Sequence, residues 1–233
     1  MTGMEKVKTG LEGLDEMLFG GIPKGSTVVV MGSFGTGKTT FGLQFLNQGL
    51  SEGEKGVYIS LEEDKESILA DAEAHGWDLR GKLDAKQLEI VKLEPTDAKV
   101  TIQRIKSELP EFIKKFGASR IVVDSVSLLN MLFDNDHDRR SNLFNLSQMI
   151  KRTGATLILT AEVKDDNPFA SRDGLIEYVA DGVISLRYLE RLERNELMLS
   201  LRIIKMRRTE HSRKITPYSI TNKGLEVHVG SEF

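Results

Sequence analysis

With 233 residues, 39% hydrophobic and 29% charged, the chain is long enough for one sizeable α/β domain and too apolar for a disordered one. Its formal net charge of -3 excludes a surface built as a whole for DNA or anionic lipid, so any nucleic-acid contact has to be local. Cysteine is absent, which excludes disulfides, thiolate metal sites and thiol catalysis and fits a reducing cytoplasm.

No apolar run approaches the ~18 residues of a membrane span, and the opening "MTGMEKVKTGLEG" has no signal-peptide core. A cytoplasmic location with no membrane partner is expected. "STVVVMG" (26–32) is a continuous β-branched run, the pattern of a strand buried on both faces. A Gly-rich turn follows, then "KTTFGLQFLNQGL" (38–50), which places Phe41, Phe45 and Leu46 at helical spacing as core. "KGVYISL" (55–61) is the next strand. Asp64 opens a helix that Gly76 ends, and Trp77 behind it reads as a core anchor. "LEIVKL" (88–93), "SRIVVDS" (119–125) and "ATLILTA" (155–161) are three more strands. "TIQRIKSELPEFIKKFG" (101–117) and "RRSNLFNLSQMIKRTG" (139–154) read as amphipathic helices, the first kinked or interrupted at Pro110.

Past residue 180 the rhythm changes. "GVISLRYLERLERNELMLSLRIIKM" (182–206) reads as two strands joined by a polar turn near Arg194-Asn195, and "ITPYSI" and "LEVHV" add two extended pieces. The expected fold is α/β: a mostly parallel sheet flanked by helices and finished by antiparallel strands. No linker or repeat divides the chain, so residues 1–233 are expected to form one domain.

"GSFGTGKT" (32–39) matches the P-loop (Walker A) pattern GxxxxGK(S/T), with a buried strand before it and a helix after it. Gly35 and Gly37 let the loop turn its N–H groups inward, so that Gly35, Thr36, Gly37, Lys38, Thr39 and Thr40 surround phosphate oxygens at a helix N-terminus. Lys38 is expected on the β- and γ-phosphates and the Thr39 hydroxyl on Mg²⁺. Asp124 ends the strand "RIVVD", where a carboxylate can hold the same ion. Glu62 and Glu63 end the strand after the P-loop helix; adjacent residues point different ways, so one can face the γ-phosphate while the other braces it.

These motifs resemble the KaiC-type branch of the RecA-fold ATPases along essentially the whole chain. "TGLEGLDEMLFGGIPKGS" is similar to that family's lead-in to its P-loop, "SLEED" to its paired catalytic glutamates, "HGWDL" to a helix-end motif, and "VVDSVSLL" to its Walker B strand. "KMRRTEHS...PYSITNKGL" resembles its C-terminal strands. Five of the twelve residues in "IIKMRRTEHSRK" (203–214) are Lys or Arg. The resemblance implies that Lys205 and Arg207 reach the ATP of a neighbouring subunit in a hexameric ring, with Met206, Thr209 and His211 lining that nucleotide and Asn222 near it. Lys205 and Arg207 alternate along a strand with Met206 between them facing the other way, so period two sends both to one face. Three positions depart from the family. Arg208 stands where it keeps Gly, Asn222 where Asp is usual, and Glu177-Tyr178 where KaiC's phosphorylated half has Ser-Thr.

The expectation is therefore a Mg²⁺-dependent ATPase, ring-forming and homohexameric, with slow turnover unless a partner completes the site. Two alternatives stay open. One is a recombination accessory of the archaeal RadA-paralogue type that binds single-stranded DNA through loops near 127–141 and 162–173, which are not basic overall. The other is a regulatory switch in which ATP drives docking of a protein partner.

Overall fold

Alternating strand and helix signals build one large sheet with helices on both faces. The computed structural model describes residues 4–93, 107–130, 133, 135–164, 167, 170–172, 174, 176–191 and 196–231. In chain order the elements begin with β1 (Lys6–Val7), α1 (Glu12–Met17), β2 (Ile22–Pro23), β3 (Thr27–Gly32), α2 (Lys38–Ser51), β4 (Gly56–Ser60), α3 (Lys65–Ala74), α4 (Leu79–Asp84) and β5 (Leu88–Lys92). They continue with α5 (Leu109–Phe116), β6 (Arg120–Asp124), α6 (Val126–Asn130), α7 (Asp136–Arg152), β7 (Thr156–Ala161) and α8 (Ile176–Val179). The tail is β8 (Gly182–Arg191), β9 (Glu196–Met206), β10 (Thr216–Thr221) and β11 (Gly224–Val227).

Nine strands form the main sheet in the order β11-β10-β9-β8-β3-β7-β6-β4-β5. β5 through β8 in that order are parallel, and β9, β10 and β11 continue as antiparallel neighbours. Parallel strands need helical crossovers that cover both faces, hence the uniformly apolar strands. Successive side chains of β3 divide between two cores. Val28 and Val30 pack with Phe41, Phe45, Leu46 and Trp77 on the α2 face. Val29 and Met31 pack with Ile113, Leu143, Leu146 and Ile150 on the other.

Local chemistry sets the element ends. The Asp64 side chain accepts from the Ser67 N–H and caps α3, satisfying one of the helix's free N-terminal donors. Pro110 lies in the first turn of α5, and the two residues before that helix, Ser107 and Glu108, are π-helical, so the regular α-helix is interrupted at the proline. Residues 101–106 of that predicted helix, and the predicted turn at Arg194-Asn195, lie outside the described residues. Among the described residues no helix is long and apolar enough to cross a membrane.

One buried cation ties β6 to α2 and the N-terminal segment. Arg120, at the start of β6, is 1% exposed. Its guanidinium bonds Glu54 at 2.6 Å and the carbonyls of Lys8 and Phe45, and it lies over the Phe45 ring. A buried arginine is tolerable only with its donors used in this way.

Candidate nucleotide site

The sheet order makes the carboxyl ends of β4, β6, β7 and β3 neighbours, the edge where open α/β sheets bind ligands. From β3 the chain enters the Gly-rich loop. Gly35 and Gly37 have φ of 72° and 83°, left-handed values that glycine alone takes without strain. A Cβ at Gly35 would also lie 2.6 Å from the Tyr188 hydroxyl. Inside the turn, the Thr36 hydroxyl donates to the Ser33 carbonyl at 2.8 Å, and Tyr218 donates its O–H to the Thr36 carbonyl at 2.6 Å. The cradle is thus held from within and from β10. Lys38 Nζ donates to the Ser33 carbonyl at 2.9 Å. Burial lowers its pKa against the pull of Asp124, Glu162 and Glu62, an ammonium short of solvation and surrounded by acids. Thr40 follows, half-buried in the first turn of α2.

Ser60 and Asp124 are register partners at the ends of β4 and β6, so the acids meet there. Thr39 Oγ1 donates to Asp124 Oδ2 at 2.7 Å, and Tyr58 O–H donates to the same oxygen at 2.6 Å. Thr160, on β7, holds the other carboxylate oxygen. Among the described residues no three His, Cys, Asp or Glu gather as a metal cluster. What stands beside Lys38 is one hydroxyl and one carboxylate, a set that suits Mg²⁺, which keeps waters and phosphate oxygens as its other ligands.

Glu62 and Glu63 diverge as adjacent strand-end residues must. Glu62 is exposed, and its Oε1 accepts from Ser125 Oγ at 2.8 Å; its charge reaches Lys38. Glu63 turns inward, with its backbone tied to Ser60 Oγ. Burial, then Asp71 and Asp124, raise its carboxyl above the usual range. Glu62 faces the cradle and Glu63 braces the turn.

The remaining residues fall into two groups. Asn222 is exposed in the β10–β11 turn on the P-loop's own side: Ile220 touches the position of Gly37, and the Thr221 carbonyl lies 3.0 Å from His75 Nδ1. The basic stretch sits at the opposite edge. Met206 pairs with Gly182, which pairs with Val28 at the start of β3. Four residue steps of β3, about 13 Å, separate this edge from Gly32.

There Lys205 Nζ donates to the carbonyls of Glu177 and Ala180 at 2.9 and 2.6 Å. Burial and nearby Arg207 lower its pKa. β9 ends at Met206, so Arg207 opens a turn instead of extending the strand, its N–H on the Asp181 carbonyl. The Arg207 guanidinium is exposed and has no hydrogen-bond or ion-pair partner among the described residues.

Arg208 has φ of 67°, a left-handed value that glycine takes without strain and an arginine rarely adopts. Its guanidinium bonds Ser26 at 2.9 Å and lies 3.6 Å from Asp181. Burial pushes the Asp181 carboxyl up, but the Thr27 N–H and Lys151 outweigh it and hold it below its usual range. Thr209 donates to the Glu210 carbonyl and His211 Nδ1 lies 2.9 Å from the Ser212 carbonyl. Both are half-buried along the turn beside α1.

A family model for the KaiC ATPase matches residues 7–232. The chain belongs to the KaiC ATPase family. It is 33% identical over 97% of its length to the circadian clock oscillator protein KaiC of Parathermosynechococcus lividus, spanning 43% of that protein. With KaiC of Synechococcus elongatus it shares 35% over 95% of its length, and 44% of that protein. The chain thus spans less than half the length of these KaiC relatives. A UPF0273 protein of Aeropyrum pernix is 35% identical over 97% of the chain and 94% of its own length. The crystal structure of a KaiC-like protein from Pyrococcus horikoshii superposes with a TM-score of 0.86 at 33% identity, covering 97% of this chain and all of that one. The RecA-like fold expected from sequence is therefore the family's fold.

Sequence reasoning missed several groups of this KaiC-type site. Thr160 and Tyr58 lie inside apolar strands and read as core. Glu162, whose charge bears on Lys38, sits one residue past β7, where "LTAE" mirrors the strand-then-acid pattern of "VVD" and "SLEE". Tyr218 gave no signal. The loops suggested for DNA lie partly outside the described residues; of those described, Glu162 and Arg172 pair with each other at 2.9 Å.

Proposed function

We propose that this chain is a Mg²⁺-dependent ATPase that assembles head to tail into a hexameric ring, with ATP bound between subunits. The observation that carries it is the division of the site across the sheet: cradle and acids at one edge, Lys205 and Arg207 at the other, about 13 Å of strand away. Cations so placed cannot serve their own P-loop. They suit a phosphate on the next copy, and the KaiC resemblance supplies the ring of six.

In this reading the loop N–H groups and Lys38 hold the β- and γ-phosphates. Thr39 and Asp124 would hold Mg²⁺, whose charge would offset that of the phosphate oxygens. Glu62, oriented by Ser125, positions the attacking water and takes its proton. Arg207 of the neighbour meets the charge that develops on the departing γ-phosphoryl group. Lys205, tied to two carbonyls, holds the 177–180 segment in place beside it.

Absolute mass by light scattering, with and without Mg-ATP, tests this. A species near six subunits that ATP forms or tightens is expected. A monomer under both conditions overturns the ring and leaves Arg207 without its phosphate.

A further inference from the structure

The P-loop carries a residue that phosphate binding does not need. Phe34, at the loop apex, is 88% exposed, although the chain buries most of its large apolar side chains. Its loop is pinned by the Thr36 and Tyr218 hydrogen bonds, so the ring cannot fold back into its own core. An exposed aromatic on a rigid loop is a costly surface feature unless something covers it.

A matching surface lies elsewhere on the molecule. One face of α7, the segment 178–181 and Arg207 enclose an open cavity of about 520 Å³. Two aromatic side chains line it, Phe144 at 50% and Tyr178 at 69% exposure. Three cations line it as well, Arg140, Lys151 and Arg207. Arg140 lies 5.9 Å over the Tyr178 ring, and neither its guanidinium nor that of Arg207 has a hydrogen-bond or ion-pair partner among the described residues. Lys151, by contrast, is neutralised by Asp181 at 3.0 Å. The cavity therefore presents two uncompensated positive charges beside exposed rings.

The loop that carries Phe34 complements both features. Glu62, Asp124 and Glu162 bear on Lys38, whose ammonium bonds the Ser33 carbonyl next to Phe34, and a bound triphosphate adds further negative charge. Acid beside this loop faces cations around two exposed rings elsewhere on the same chain. Such patches make a heterologous, head-to-tail contact, which closes into a ring when the rotation permits.

We propose that the Phe34 ring of one copy inserts into this cavity of the next, between Phe144 and Tyr178. Arg140 then stands with Arg207 against the acidic, phosphate-bearing edge. Phe34 is the apolar anchor of the contact, and the charges set its orientation and register. Because Phe34 adjoins Ser33, whose carbonyl holds Lys38 and Thr36, the contact bears directly on the loop that grips the phosphate.

The inference rests on the ring reading. The native chain has no cysteine, so an introduced pair can be cross-linked without background. With Mg-ATP and a short thiol-to-thiol cross-linker, the Phe34→Cys/Phe144→Cys double variant should give a ladder of covalent multimers, and each single variant none. Should Phe144→Cys block folding or assembly, Phe34→Cys/Tyr178→Cys reports the same contact. Separately, Phe144→Ser should raise the concentration needed for assembly at least ~10-fold, as loss of an interface anchor does, with nucleotide binding by the single subunit unchanged. Rings that form without any cross-link in either double variant overturn this docking and leave the ring intact. A native chain that stays monomeric with Mg-ATP overturns the ring and this contact together.

Discussion

The two edges of the parallel sheet differ in how their charges are used. At the carboxyl edge nearly every polar group is already answered within the chain: Thr39, Tyr58 and Thr160 on Asp124, Ser125 on Glu62, Lys38 on Ser33. At the opposite edge Asp181 gathers Thr27, Lys151 and Arg208, while the Arg207 and Arg140 guanidiniums are left without a hydrogen-bond or ion-pair partner among the described residues. A preorganised cradle pays its desolvation once, on folding, and is ready when phosphate arrives. The far-edge cations make no ion pair among the described residues, Arg140 only lying over the Tyr178 ring, and their main value depends on what docks there.

The widest separation between the edges should come from Arg207→Ala. ATP turnover is expected to fall about 10³-fold or more, the scale of an arginine finger, while nucleotide affinity changes only a few-fold. Phosphate release and equilibrium binding measured on one preparation check this, and equal loss of both would place Arg207 in its own subunit's site.

Within the cradle edge, Glu62→Gln should lower turnover by about 10²–10⁴, the range of a general base. Glu63→Gln should lower it far less, because Glu63 is turned inward. The reverse ranking would exchange their roles.

The smallest effect on the site belongs to Arg120→Met. Arg120 and Arg207 are the same side chain with opposite bookkeeping, one answered inside the core and one unanswered. Urea unfolding should show a loss of about 3 kcal/mol for Arg120→Met, since Glu54 loses its buried partner. Turnover per folded ring should stay near native. A neutral or stabilising result would mean that Met packs the space as well as the guanidinium did.

Much of this was legible in sequence because local rules act over a few residues. Strand runs buried on both faces, the Asp64 cap, the P-loop spacing and the strand-end acids each depend on neighbours in the chain. So did the parallel-then-antiparallel order, since an α-crossover and a short turn leave different patterns. Glu62 and Glu63 could be read as diverging, but only the Ser125 and Ser60 contacts said which faces the cradle.

What sequence could not reach depends on strands distant in the chain becoming neighbours in space. Tyr58, Thr160 and Tyr218 support the cradle from three strands, and no local pattern distinguishes them from core. The reading of 205–207 as a continuous strand failed at Met206, where the turn to Arg208 takes a left-handed residue. That "KMRR" is basic is a property of the sequence. That it lies away from its own P-loop follows from sheet order, and that it lies beside Arg140 and Tyr178 follows from the packing of α7 and α8 at that edge. Pairing β9 with β8 fixes which edge of the sheet those cations occupy, and nothing within twelve residues encodes it.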